Sequence, residues 1–385
     1  MNIKEISNQN IMNTYGRLDI VLKKGKGVYV EDSEGKEYID LGAGIGVNAL
    51  GFCDEGWVKA VCDQAGTLQH TSNLYYTYPA TKLAEKLCKD SSFNKVFFAN
   101  SGAEANECAI KLARKYSTDK YSKERNEIIT LEQSFHGRTV TTLAATGQDS
   151  FHQYFYPFTE GFAYAKPDIE AIKETISDKT CAVFIECIQG EGGVNILDKK
   201  LVQDIEKLCR EKDLLFIVDE VQTGIGRTGS LYCFENYDVK PDIITLAKGL
   251  GGGLPIGACL CTDGLENVLT QGAHGSTFGG NPISCAAGLY TLEEIEKDDF
   301  IAKVKEKGDY FAQKLEELEE VKEVRHMGLM IGIVLKKDNA KEVSKKCLDE
   351  GLLVLTAKDV VRLLPPLNIT KEEIDEAIER FKKAV

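Results

Sequence analysis

Residues 214–220 read LLFIVDE and residues 242–253 read DIITLAKGLGGG. Each is a short apolar run ending in one charged residue, Asp219 in the first and Lys248 in the second, and a glycine-rich turn follows the lysine at once. Such a run, too short for a typical helix, reads as a strand buried on both faces, the pattern of a parallel sheet. The charged residues then fall at the carboxyl edge, where α/β sheets place their ligands. Working outward, KVFFA (95–99), EIITLE (127–132) and CAVFIE (181–186) read as further strands. Helical periodicity fills TKLAEKLCKD (81–90) and AEANECAIKLARKY (103–116). This alternation predicts an α/β protein whose large domain is a mainly parallel sheet covered by helices. Upstream, Val28-Tyr29-Val30 and Tyr38-Ile39 flank a turn at Gly35 and predict a hairpin. Beyond residue 283 amphipathic helix dominates, interrupted by LMIGIVL (329–335) and LLVLT (352–356), which predicts a smaller α+β domain. Its last helix starts at Thr370, with Glu373 completing a capping box. The expected division is an N-terminal segment 1–50, a large domain 51–282 and a small C-terminal domain 283–385.

The 385 residues are 43% hydrophobic and 28% charged, which excludes a disordered or fibrous chain. With 47 basic and 60 acidic residues the net charge is -13, a field that argues against nucleic acid and anionic membrane as partners. Twelve cysteines are present without a C-x-x-C pair, Cys259 and Cys261 being the closest, so they read as core filler in a reduced, cytoplasmic protein. The first residues lack the apolar stretch of a signal peptide, and no apolar run reaches bilayer length. Five histidines without ligand spacing argue against a metal. Asn368-Ile369-Thr370 matches a glycosylation acceptor but reads as a turn and helix cap.

Two patterns mislead. Gly224, Gly226 and Gly229 match G-x-G-x-x-G, but no helical periodicity follows, so the segment reads as a loop. LLFIVDE resembles the acidic strand end of a nucleotide hydrolase, yet the chain has no phosphate-cradling G-x-x-x-x-G-K-[ST]. A strand-end lysine beside a strand-end aspartate instead suits pyridoxal phosphate: Lys248 forms the covalent link and Asp219 keeps the pyridine nitrogen protonated. In NSGAEAN (100–106), Ser101 caps a helix with Glu104 closing a capping box, which leaves the amides of Gly102 and Ala103 to face a phosphate. In SFHGRT (134–139), Phe135 offers a ring to stack on the cofactor and Arg138 a planar fork for a carboxylate.

Together with ECIQGEGG (186–193), DEVQTGIGRTG (219–229), GSTFGGNP (275–282) and RLLPPL (362–367), these motifs run in order through nearly the whole chain. The chain resembles the class III pyridoxal phosphate-dependent aminotransferases of fold type I. Within the class, MNTYGRLDIVL (12–22), HTSNLYYT (70–77) and FFANSGAEANE (97–107) are most similar to the N-acetylornithine aminotransferases of arginine biosynthesis.

The resemblance implies that Lys248 is catalytic and moves the proton, with Asp219 on the ring nitrogen, Phe135 stacked on the ring and Gln222 near the phenolic oxygen. Ser101, Gly102 and Ala103 hold the phosphate, and Glu186 helps position Gln222. Thr277 reaches the cofactor of the neighbouring subunit, so a homodimer is implied. Arg362 receives the α-carboxylate of glutamate or 2-oxoglutarate, Glu191 pairs with Arg362 when the donor presents only its ω-amine, Arg138 takes the distal carboxylate, and Ser276 is a further substrate contact. Ornithine aminotransferases carry a tyrosine near the position of Gly44. Here LGAGIGVNALG (41–51) is small and apolar, which implies room for an acyl group. His136 and His274 read as structural. GFCDE (51–55), where the relatives have GHCHP, departs from the pattern. Ornithine, succinylornithine or 4-aminobutyrate as donor, a glutamate-1-semialdehyde aminomutase, and a regulatory protein with a dead cofactor site are the competing readings.

Overall fold

The computed structural model describes residues 2–89, 91–337 and 339–385. Its largest sheet has seven strands, in the spatial order Lys95–Ala99, Gly257–Cys261, Ile243–Leu246, Leu215–Asp219, Thr180–Ile185, Glu127–Leu131 and Phe162–Ala165. Neighbours from Ile243–Leu246 to Phe162–Ala165 are all parallel, while Gly257–Cys261 runs against both its neighbours. The expected fold class is therefore observed, with one antiparallel strand inserted. That strand and Phe162–Ala165 escape the sequence reading because GACLC and FAYA are short and rich in small residues.

Every residue of Thr180–Ile185 and Leu215–Asp219 is buried, which is why these runs are apolar throughout rather than alternating. Phe216 and Val218 share one apolar cluster with Val202, Ile205 and Leu208 of the helix Lys199–Lys212. Leu215 and Ile217 point the other way, into a cluster with Ala109, Leu112 and Ala113 of the helix Gly102–Lys120. The period of two thus feeds two helical layers, and each fully buried Ile or Phe contributes about 1.5–3 kcal/mol of transfer free energy.

The C-terminal part holds an antiparallel sheet in the order Val321–Met327, Met330–Leu335, Val360–Leu363 and Leu355–Ala357. Its first and third strands were not expected: VKEVRHM is largely polar, and VVRL is only four residues long. The predicted strand LLVLT is divided. Leu352–Leu353 pairs in parallel with Glu37–Asp40 of the N-terminal hairpin, and Leu355–Ala357 joins the antiparallel sheet. The hairpin itself forms as expected, from Tyr29–Asp32 and Glu37–Asp40.

The capping box at Thr370 and Glu373 is present in both directions. The helix expected over 81–90 spans Tyr78–Cys88, and Asp90 lies outside the described residues. The glycine run at 224–229 is a loop. All twelve cysteines are free and most are buried. Among the described residues, no helix is long and apolar enough to cross a membrane.

Candidate active site

The parallel strands converge on one cavity of about 450 Å³ at their carboxyl ends. Asp219 ends its strand there, Glu186 follows Ile185, Ser101 follows the strand Lys95–Ala99, and Lys248 comes two residues after Leu246. Lys248 opens a short turn with φ 44°, in the left-handed region that only glycine enters freely. A lysine held in that conformation at a cavity wall is strain of the kind that clusters at functional sites. Burial lowers its amine below the ordinary 10.5, against the pull of the Asp219 and Glu191 carboxylates.

Three donors hold Asp219, which is 4% exposed. Asn106 Nδ2 and His136 Nδ1 each lie 2.8 Å from Oδ2, and the amide of Val221 donates to Oδ1 at 2.9 Å. The acceptor is a carboxylate, so His136 carries its proton on Nδ1. The His136 ring stacks on Phe184 at 4.1 Å, which fixes its plane. Asn106 sits in the helix Gly102–Lys120, whose first amides line the same cavity, so one helix supports both the aspartate and the anion end.

Ser101 Oγ caps that helix by accepting from the Glu104 amide at 3.2 Å. The expected capping box is displaced by one residue: the Glu104 carboxylate receives the amide of Asn100 at 2.6 Å, not that of Ser101. Gly102 and Ala103 occupy the first turn, where amides have no intrahelical acceptor. A Cβ on Gly102 would sit 2.6 Å from Val221, another cavity wall, so a larger residue would push the helix end off the site. Phe135 lines the cavity, and its amide donates to Glu186 Oε2 at 2.8 Å. Burial, then the Asp219 charge, raises the Glu186 carboxyl well above the usual range.

Gln222 lines the cavity and leads to a buried ion pair. Arg362 Nη1 donates to Glu191 Oε1 at 2.6 Å and to Gln222 Oε1 at 3.0 Å. Burial would raise Glu191, but the charge and hydrogen bond of Arg362 outweigh it and hold the carboxyl below 4.5. Arg362 Nε has no partner among the described residues. A Cβ at Gly190 would lie 2.1 Å from Gln222 Oε1, so glycine there lets the amide lie against the backbone. Arg138 is exposed at the cavity rim, its guanidinium 4.2 Å from the Phe151 ring centre and without an ion pair among the described residues.

The structure thus gathers Lys248, Asp219, Ser101, Gly102, Ala103, Phe135, Glu186, Gln222 and Arg138 around one cavity, with Glu191 and Arg362 reached through Gln222. Glu186 bonds Phe135 rather than Gln222 among the described residues. Ser276 and Thr277 do not line the cavity. The Ser276 hydroxyl receives the Gly279 amide at 2.9 Å and Asn100 Nδ2 at 3.3 Å, and Thr277 is exposed. Asn106 and Val221 lie inside quoted motifs but received no site role, and His136, read as structural, proves to hold Asp219; the walls Val47 and Leu254 carried no signal that spacing alone could single out. The donor set fits pyridoxal phosphate: an amine for the aldehyde, a carboxylate for the ring nitrogen, a helix N-terminus for the phosphate and an aromatic wall.

Comparison with known proteins agrees with this chemistry. Residues 11–385 match the family Aminotransferase class-III. The acetylornithine aminotransferase of Haemophilus ducreyi is 49% identical over 379 residues, 98% of this chain and 96% of that one. The crystal structure of N-acetylornithine aminotransferase from Stenotrophomonas maltophilia superimposes with a TM-score of 0.84 at 38% identity, covering 99% of this chain and 97% of that one. The ornithine aminotransferase of Toxoplasma gondii superimposes with a TM-score of 0.94 at 32% identity, covering 99% and 93%. With the match running almost end to end, this chain belongs to the class III aminotransferases, which are pyridoxal phosphate-dependent enzymes.

Proposed function

We propose that this chain transfers the δ-amino group of N-acetylornithine to 2-oxoglutarate, giving N-acetylglutamate 5-semialdehyde and glutamate by a ping-pong cycle in arginine biosynthesis. The observation that carries the reading is the Glu191 and Arg362 pair at 2.6 Å, a buried cation held by a displaceable carboxylate. One site must first accept a donor whose reacting end has no carboxylate, then a dicarboxylic keto acid. With Glu191 in place the cation is satisfied during the first half; with Glu191 displaced, Arg362 Nη1 is freed to donate to the keto acid's α-carboxylate. Arg138, at the rim, takes the distal carboxylate. The selection of an acetylated donor is supported by the small residues at 43–47, of which Val47 lines the cavity, and by relatives such as the Haemophilus ducreyi enzyme.

When bound, pyridoxal phosphate draws electrons from the substrate's carbon and stores the amino group between the two halves. Lys248 Nζ, whose amine burial holds below its ordinary 10.5, takes the proton from the amine-bearing carbon and delivers it back. Asp219, oriented by Asn106, His136 and the Val221 amide, presents a fixed negative charge to a protonated ring nitrogen. Phe135 and Val221 wall the ring, and the amides of Gly102 and Ala103 receive the phosphate.

The proposal includes a homodimer working in the cytoplasm. Asn73 Nδ2 donates to Ser276 O at 3.0 Å and Gly279 O at 2.9 Å, so segment 73–78 packs beside the loop of Thr277. Leu74, Tyr75, Tyr76, Tyr78 and Phe278 are exposed around it, a patch suited to burial against a second copy that receives Thr277.

The test is loss of visible absorbance of the lysine-bound cofactor when N-acetylornithine, ornithine, succinylornithine and 4-aminobutyrate are added separately without keto acid. N-acetylornithine bleaching most efficiently is the expected result. A better response to ornithine or 4-aminobutyrate refutes the donor assignment, and no visible band refutes the role of Lys248.

A further inference from the structure

We propose that Arg227 is a positioning residue for Arg362: it ends the strand pair that carries Arg362 and ties that pair to the loop that carries Gln222. The inference rests on Arg362 as the receptor for the keto acid's carboxylate. Arg227 is 3% exposed and has no carboxylate partner among the described residues. Its Nη1 donates instead to two backbone carbonyls, Pro365 O at 2.5 Å and Leu329 O at 3.1 Å. Burial alone lowers its guanidinium to about 9. A buried cation without an anion is unfavourable, so its surroundings must hold it in place for a structural return.

The strand register shows what that return is. Val360–Leu363 pairs antiparallel with Met330–Leu335, with Gly332 opposite Arg362 and Ile331 opposite Leu363. Two positions further, Leu329 falls opposite Pro365. Proline has no amide hydrogen, so the ladder cannot close there through its backbone. Arg227 closes it: its carbonyl accepts the Leu329 amide at 3.0 Å, and its side chain satisfies Leu329 O and Pro365 O together. Gly328, at φ 53°, permits the approach, since a Cβ there would lie 2.6 Å from Arg227 O. On the far side, Leu364 and Leu367 donate to Leu41 O and Ala49 O, each at 2.7 Å, so the same stretch is pinned to the N-terminal segment. Arg362 reaches Gln222 from a different sheet than the one whose strand precedes Gln222, and Arg227, five residues after Gln222, is a direct polar tie between that loop and the strand pair of Arg362; Arg325, on the neighbouring strand, ties the Glu191 side through Gly193 O at 3.1 Å and Asn195 Oδ1 at 2.9 Å.

The test compares Arg227→Lys and Arg227→Met with the unmodified holoenzyme. Three quantities are read: KM for 2-oxoglutarate, the single-turnover rate with amino donor alone, and the calorimetric Kd of glutarate, a dicarboxylate with no keto group to react. In R227K, which keeps the charge but shortens the reach of the donor to Leu329 O and Pro365 O, KM and Kd rise about five- to tenfold, and further in R227M, while the donor half-reaction stays within about twofold. A parallel fall in both half-reactions, or no change in KM and Kd, overturns the proposal. If R227M does not fold, R227K carries the comparison. If the enzyme prefers another donor than N-acetylornithine, that donor is used and the proposed function fails on its own, because Arg227 is judged on dicarboxylate binding.

Discussion

Replacing Glu191 by Gln should redirect the enzyme toward α-carboxylates, by an amount that follows from the ion pair. The Glu191 and Arg362 side chains are 29% and 3% exposed, so solvent screens the contact only weakly. Gln keeps the shape and one acceptor but not the charge. A hydrogen bond to a charged group is worth about 1.5–3 kcal/mol, and each 1.4 kcal/mol is a factor of ten. Glutamate, which must displace Glu191 to reach Arg362, therefore gains about ten- to hundredfold in kcat/KM for its half-reaction. N-acetylornithine loses efficiency, because the freed Arg362 competes for its carboxylate and holds it the wrong way round. Stopped-flow bleaching by N-acetylornithine and by glutamate, measured separately, reads both effects. A glutamate rate that is unchanged or lower in E191Q refutes the gate. The pair also has a pH signature. Glu191 is held below 4.5, so its contribution to stability is complete above that pH and is lost as the pH falls through the lower folded value.

Lys248→Ala should abolish turnover yet leave the phosphate and ring contacts, so cofactor co-purifies with the protein without a covalent link; turnover near the unmodified level refutes the assignment. Because burial holds Lys248 below 10.5, covalent capture of pyridoxal phosphate by cofactor-free protein should quicken with pH and level off below that value, and a plateau above it contradicts the burial argument. Glu220, 1% exposed and accepting from Thr223 Oγ1 and the Phe234 amide, is raised by burial from 4.5 to about 7. The folded state then binds a proton that the unfolded state releases, and stability falls as pH rises from 4.5 to 7; Glu220→Gln should gain relative stability over that window, up to about 3 kcal/mol, readable as Tm at pH 5 and 8. Ser101→Ala removes the cap and should cost about 1 kcal/mol, seen as a lower Tm and faster cofactor loss.

The sheet was legible where burial on both faces leaves a run of large apolar residues, and not at Gly257–Cys261, which is equally buried but built largely from small residues. It was not legible at Val321–Met327, a polar strand, or at Leu352–Leu355, where one apolar run serves two sheets. Local pattern cannot tell which neighbour a strand meets. The same divide runs through the site. Lys248, Asp219 and the Ser101 cap could be read because each stands at a strand or helix end with a composition that marks it. His136 could be seen only as a motif neighbour, although it is one of three groups holding Asp219.

By itself, then, the sequence determined the layered fold class, the residue types of the cofactor site and, through its seven ordered motifs, the family. Tertiary structure alone decided their relations. Asn106 and His136 meet Asp219 because a helix and a loop cross beneath one strand end, and Glu191 meets Arg362 because two sheets dock. Arg227 illustrates the reason most plainly: nothing in GIGRTG foretells a buried cation closing a strand ladder that Pro365 leaves open. Propensity and periodicity are local properties of the chain, whereas a hydrogen bond between residues more than a hundred positions apart exists only once packing has brought them together.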